Sequence, residues 1–209
     1  MHEDQPVRYS GEPLEDARAA MIMLHGRGAS AEDMITLSEQ FSHAGLGFVA
    51  PQARDGEWFR YSFLVPVQQN EPGVSSAMVV LRSLVLEADL RGIAHERIFL
   101  FGFDQGACLV LEFAARHARR YGGVLALGGG LIGPPGTDWE SQASLDATPV
   151  YIGCADVDPH VPASRVEESA QVLKDLGARV DLQVYPGLGH TIGGVQIEAV
   201  NAHLERALS

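Results

Sequence analysis

Six short apolar runs alternate with five stretches of helical periodicity, and that alternation limits the chain to few architectures. The runs are Ala19–Leu24 (AAMIML), Gly45–Ala50 closed by Pro51, Arg97–Phe103 (RIFLFGF), Gly123–Leu127, Pro149–Cys154 and Val180–Tyr185. Ser30 is placed to cap a helix, with Asp33 three residues on and Met34, Leu37 and Phe41 spaced for one face. Val74–Leu90, Ala107–His117, Val166–Leu176 and Val195–Ala207 also read as helices. Strands that are apolar on both faces need cover on both faces, so the pattern predicts an α/β fold: a mostly parallel central sheet flanked by helices. Gln52 to Gly73 shows no clear period but holds an aromatic cluster, Trp58, Phe59, Tyr61 and Phe63. At 209 residues, 46% of them hydrophobic, the chain can bury one sizeable core and is short for two, so residues 1–209 read as a single domain.

Charge removes several functions. The formal net charge of −12 repels phosphate backbones and anionic headgroups, which argues against nucleic acid and against membrane surfaces as partners. No apolar run approaches the length of a membrane span, and Met1-His2-Glu3-Asp4 lacks the basic start of a secretion signal, so the expected location is cytoplasmic. Cys108 and Cys154 form no CxxC pair and the histidines no HExxH spacing, so neither metal nor cofactor is expected.

In a parallel sheet, ligands gather at the carboxyl ends of the strands. HGRGAS, GFDQG and ADVDPHVP all fall at such ends, and GLGH follows the last strand. Gly102-Phe103-Asp104-Gln105-Gly106 has the form of a nucleophile elbow between strand and helix, with aspartate in the middle. A bare GxDxG is also what an ordinary strand-to-helix turn looks like. Four loops in the order nucleophile, acid, histidine are harder to obtain by chance. The candidates are Asp104 as nucleophile, His190 as base and Asp158 as its orienting acid, with Asp156 the rival acid in the same segment. Backbone N–H groups of Arg27 and Gln105 would form an oxyanion hole. Trp58, Tyr61, Phe63 and Leu64 are candidates to border an apolar small-molecule substrate.

LHGRGASAED, PQARDGEWF, GFDQGACL, ALGGGLIG, DVDPHVP and YPGLGHTI closely resemble the phospholipase/carboxylesterase family, which includes the acyl-protein thioesterases. The resemblance runs over nearly the whole chain. It implies an α/β-hydrolase fold with a minimal lid, the triad at positions 104, 158 and 190, and a possible homodimer. The family's elbow reads GFSQG, so Asp104 stands where the family keeps its serine.

That one change redirects the expected chemistry. A carboxylate with a pKa of about 3.9 is already ionised and needs no base to activate it. Attack on an ester carbonyl would give an anhydride, whereas attack on an epoxide or alkyl halide carbon gives an ordinary alkyl ester. His190 could then direct water at the Asp104 carbonyl, as in the Asp-nucleophile haloalkane dehalogenases and epoxide hydrolases of the same fold. Trp58 or Tyr61 could donate to the leaving group. The alternatives are a carboxylesterase or thioesterase scaffold disabled by loss of its serine, Asp104 as general base in a lyase or cyclisation, and a ligand-binding protein without turnover. A metal held by Asp104, Asp158 and His190 is a further, weaker alternative. The family commonly has serine in the segment that here reads Leu127-Gly128-Gly129-Gly130, and Gly128 is read either as making room for Asp104 or as neutral drift. Two carboxylates around His190 should raise its pKa and shift activity to higher pH.

Overall fold

A computed structural model describes residues 1–41, 44–139 and 143–209. Each of the six apolar runs forms a strand: β2 (Ala19–Leu24), β3 (Leu46–Pro51), β4 (Ile98–Phe103), β5 (Gly123–Leu127), β6 (Pro149–Ala155) and β7 (Arg179–Tyr185). An additional strand, β1 (Val7–Gly11), precedes them. It pairs antiparallel with β3, Val7 opposite Pro51 and Gly11 opposite Gly47, and completes a sheet of order β1-β3-β2-β4-β5-β6-β7 whose other pairings are parallel. The sequence VRYSG carries no apolar run because β1 is an edge strand, with exposed and half-buried positions only.

The helices are α1 (Ala31–Ser38), α2 (Gly73–Leu90), α3 (Gln105–Arg116), α4 (Ala163–Asp175) and α5 (Gly194–Leu208). Alternate strand residues divide between two cores. Ile22, Leu24, Val49, Leu100, Ala126 and Ile152 face α2, α3 and α4, meeting Leu81, Leu109, Phe113 and Leu173. Met21, Met23, Phe48, Phe101, Leu125 and Tyr151 face α1 and α5, meeting Met34, Ile197, Val200 and Leu204. Each large apolar side chain buried this way contributes roughly 1.5–3 kcal/mol, which is why the central strands tolerate no polar residue on either face. Ser30 caps α1 as its spacing predicts: its Oγ accepts the Asp33 N–H at 3.2 Å, and Asp33 Oδ2 accepts the Ser30 N–H at 2.8 Å. The helix stops at Ser38, and Phe41 packs edge-on against Phe101 from beyond its end.

The connection after β5 is tied down by a buried carboxylate. Glu112 of α3 accepts the Ile132 N–H at 2.9 Å and the Trp139 indole N–H at 3.0 Å and is paired with Arg116. Among the described residues no helical insertion stands over the carboxyl edge of the sheet, and no helix is long and apolar enough to cross a membrane.

Candidate active site

The strand β4 and the helix α3 meet at Asp104, which takes φ 52° and ψ −116°. A non-glycine residue held there costs of order 1–3 kcal/mol, so the surrounding packing must enforce it. It does: a Cβ on Gly102 would lie 2.3 Å from the Gly106 carbonyl, and one on Gly106 would lie 2.1 Å from the Leu24 carbonyl. The two glycines let helix and strand touch, and the chain between them turns so tightly that the Asp104 side chain is thrust into the cleft.

Its two carboxylate oxygens have different partners. Oδ2 accepts the backbone N–H of Arg27 at 2.9 Å, and the nearby Gln105 N–H helps to lower the carboxyl's pKa. Asp104 therefore occupies the Arg27 donor of the pair that sequence reasoning assigns as the oxyanion hole. Oδ1 lies 3.4 Å from His190 Nε2. The His190 Nδ1 lies 2.7 Å from Asp158 Oδ2, and Asp158 Oδ1 accepts the N–H groups of His160 and Val161 at 2.8 and 3.1 Å. Phe103 packs against one face of the imidazole, with ring centroids 5.1 Å apart. The imidazole is thus fixed at both nitrogens and on its flank.

These contacts set the charge state. His190 is pushed up to about 9, chiefly by Asp104, against the opposing effect of burial and with Asp158 adding to the rise. Burial pushes the Asp104 carboxyl up, but His190 and the N–H groups of Arg27 and Gln105 outweigh it and hold the carboxyl below its ordinary value. Asp158 is depressed too: burial raises it, and His190 with the His160 and Val161 N–H groups more than compensates. At neutral pH the resting site holds an imidazolium between two carboxylates.

The rival acid has a separate task. Asp156 Oδ1 accepts the Val157 N–H at 2.8 Å and the Gly187 N–H at 2.9 Å, pinning the start of the loop that carries His190. The rest of the cleft, about 370 Å³, is bordered by Phe59, Arg60, Tyr61, Ser62, Phe63, Cys108 and His160 around Asp104, Gln105 and His190.

Three sequence expectations need correction. Trp58 does not border the cleft: it is fully buried, and its indole N–H is consumed by the His25 carbonyl at 2.9 Å, so it has no donor to offer a leaving group. Leu64 packs against the core instead of lining the cleft. Gly128 does not make room for Asp104, because a Cβ there would meet His190 and Phe103, at 3.3–3.5 Å. The space for Asp104 comes from Gly26, whose Cβ would stand 3.0 Å from Asp104 Cβ and 3.2 Å from its Oδ2.

Side-chain bonds that sequence reasoning did not anticipate hold the oxyanion loop in place. The Gln105 side chain, buried, accepts the Trp58 N–H at 2.8 Å and donates to the Phe59 carbonyl at 2.6 Å. The His25 ring bonds to the Gly26 carbonyl at 2.7 Å and accepts the Ala53 N–H at 3.0 Å. The Arg27 guanidinium pairs with Glu57 and donates to the carbonyls of Phe59 and Arg60. Backbone and side chain of one residue thus link the oxyanion hole to the aromatic loop. The motif letters H-G-R-G contain no signal for these long-range bonds. Among the described residues no group of three or more histidine, cysteine or acidic side chains is arranged to hold a metal ion.

A family model described as phospholipase/carboxylesterase matches residues 11–208, nearly the whole chain. The chain belongs to the phospholipase/carboxylesterase family. A family member of known crystal structure, the phospholipase/carboxylesterase from Dyadobacter fermentans, is 43% identical, superposes with a TM-score of 0.92, and is matched over 99% of this chain and 97% of its own. Acyl-protein thioesterase 1 of Gibberella zeae is 32% identical over 143 residues, 67% of this chain; the chain spans 60% of that relative's length. Acyl-protein thioesterase 1 of Eremothecium gossypii is 28% identical over 208 residues, covering 90% of this chain and 86% of the thioesterase. The fold is that of an α/β-hydrolase.

Proposed function

We propose that this family member hydrolyses a small apolar substrate at an electrophilic saturated carbon, an epoxide or alkyl halide, through an alkyl ester on Asp104. The observation that carries the reading is the division of labour between the two Asp104 oxygens. Oδ2 sits on the Arg27 N–H, where an ester substrate's carbonyl would have to bind for acyl transfer. The same donor would hold the carbonyl oxygen of an Asp104 ester and stabilise the charge that develops there when water attacks.

The cycle balances with the residues present. Asp104 Oδ1 attacks the carbon and the bond to the leaving group breaks, the electron pair departing with the halide or the epoxide oxygen. An epoxide oxygen takes the proton from the His190 imidazolium, with the Tyr61 phenol at the cleft border as a second donor in this reading. Alkylation removes the Asp104 charge, the largest cause of the raised His190 pKa; with an epoxide the imidazole is already neutral, and with a halide the imidazolium releases its proton to bulk water, so a neutral base stands ready when one is needed. It takes a proton from water, the hydroxide attacks Asp104 Cγ, and the tetrahedral oxyanion rests on the Arg27 and Gln105 N–H groups. Collapse breaks the acyl C–O bond and the departing alkoxide recovers the proton from His190. The new carboxyl then passes its proton to His190, restoring the ion pair.

One observation favours a second reading, a carboxylesterase scaffold disabled by loss of its serine: among the described residues the sheet edge lacks the helical cap that carries leaving-group donors in Asp-nucleophile enzymes of the fold. Assaying the wild type and Asp104→Ser on nitrophenyl esters and on a panel of epoxides and alkyl halides separates them. The proposal expects wild-type turnover of an electrophilic-carbon substrate with weak ester cleavage, and the reverse in Asp104→Ser. Ester cleavage by Asp104→Ser with an inert wild type would establish the disabled esterase.

A further inference from the structure

We infer that a second site, at the opposite edge of the sheet from Asp104, binds the phosphoryl group of a small molecule. Arg120, Arg179 and Arg206 converge on a cleft of about 650 Å³ where β6 and β7 begin and the last turn of α5 passes over them. Seven residues of β7 separate this edge from the carboxyl edge, roughly 20 Å at about 3.3 Å per residue, so the two sites do not overlap.

Arg8, Arg27, Arg91, Arg116 and Arg165 each lie within ion-pair distance of a glutamate. Arg120, Arg179 and Arg206 have no carboxylate partner among the described residues, in a protein with 27 acidic side chains and 15 lysines and arginines. Arg18, Arg54, Arg60, Arg82, Arg97 and Arg119 also lack a carboxylate within ion-pair distance among the described residues, and what sets Arg120, Arg179 and Arg206 apart is that they line one cleft. Two of them are held in place by backbone. Arg120 Nη1 donates to the Asp146 carbonyl at 2.6 Å, and Arg179 Nε to the Ala147 carbonyl at 3.1 Å. Both carbonyls belong to a turn whose residues take positive φ, 45° and 57°. Each guanidinium keeps further N–H donors after these bonds, and ordering it beforehand lowers the entropic cost of binding.

The carboxylates at the rim are Glu96 and Asp181, and Asp181 is engaged by His203 Nε2 at 3.1 Å and by the Gln183 amide. Three guanidiniums against two carboxylates leave the cleft cationic on an acidic molecule. Planar N–H forks match the oxygens of a phosphate better than a single carboxylate could use them. The volume leaves room for the body of a molecule beyond its phosphoryl group.

The test is calorimetric titration with inorganic pyrophosphate and with inorganic phosphate, against sodium chloride at matched ionic strength, on the wild type, Arg206→Gln and Arg8→Gln. Among the described residues Arg206 hydrogen-bonds only within its own helix, to the Ala202 carbonyl, so its replacement should leave the fold intact. Saturable binding of pyrophosphate is expected, weakened roughly tenfold in Arg206→Gln and unchanged in Arg8→Gln, since each charge-assisted contact is worth about a factor of ten. Heat that sodium chloride reproduces, or equal affinity in wild type and Arg206→Gln, would overturn the proposal. Citrate is titrated in parallel, and its binding in place of both phosphates would overturn the choice of ligand.

Discussion

Raising the pH from 7.5 to 8.5 should destabilise this protein by an amount set mainly by His190. Its pKa is about 9 in the fold, where Asp104 and Asp158 hold the charged form, against about 6.5 in the unfolded chain. A group raised on folding contributes stability that is complete below the unfolded value and is lost as pH climbs through the folded one. For these two values the loss between pH 7.5 and 8.5 is about 1 kcal/mol. His2, His25, His117 and His203 are lowered, each chiefly by burial, so both their states are largely neutral by pH 7.5; the two thiols, raised chiefly by burial, add a smaller loss of the same sign, so the His190 share is read as the difference between wild type and Asp104→Asn. With a urea m-value of about 2 kcal/mol/M, the unfolding midpoint should fall by about 0.5 M. Buried Trp58 and Trp139 supply the fluorescence signal. Asp104→Asn removes the largest contributor to the shift and should abolish at least half of the pH slope. A wild-type midpoint that does not move, or an equal slope in Asp104→Asn, would refute the ion-pair account.

The two aspartates of the DVDPHVP segment should separate cleanly by rate and stability. Asp158→Ala frees His190 Nδ1 and is expected to cut single-turnover rate by roughly 10³–10⁴-fold; Asp156→Ala removes the acceptor for two loop N–H groups, costing about 1 kcal/mol in urea unfolding with turnover retained within roughly tenfold. Gly26→Ala places a methyl 3.2 Å from Asp104 Oδ2, so the carboxylate should leave the Arg27 N–H and activity should drop at least tenfold, with a crystal structure showing the displaced side chain. Trp58→Phe loses the bond to the His25 carbonyl at about 1–2 kcal/mol of stability, while the set of accepted substrates stays the same, because the indole never reaches the cleft.

The central sheet was legible because its strands are buried on both faces, and an uninterrupted apolar run such as Ile98–Phe101 has few other uses. The edge strand β1 was not, because half its surroundings are water and its residues carry no period. The elbow was legible from two glycines at fixed spacing, since close approach of Gly102 and Gly106 to neighbouring backbone leaves no room for a side chain. Trp58 shows the limit of composition: an aromatic cluster in a loop beside a cleft looks like a substrate wall, yet Trp58 turns inward to support His25 while Tyr61 borders the cleft. The occupation of the oxyanion hole by Asp104 depends on a contact between residues 77 apart, which no local pattern encodes.

The central claim is that Asp104 forms a covalent ester, and the most direct measurement is the intact mass of His190→Ala after exposure to epoxides and alkyl halides. Without the base, the ester should persist. A stoichiometric adduct mapped to Asp104 in the GFDQGACL segment is the expected result, and its mass identifies the substrate. An unmodified protein across the panel, or an adduct that maps to Cys108 or another side chain while Asp104 stays free, would contradict the account.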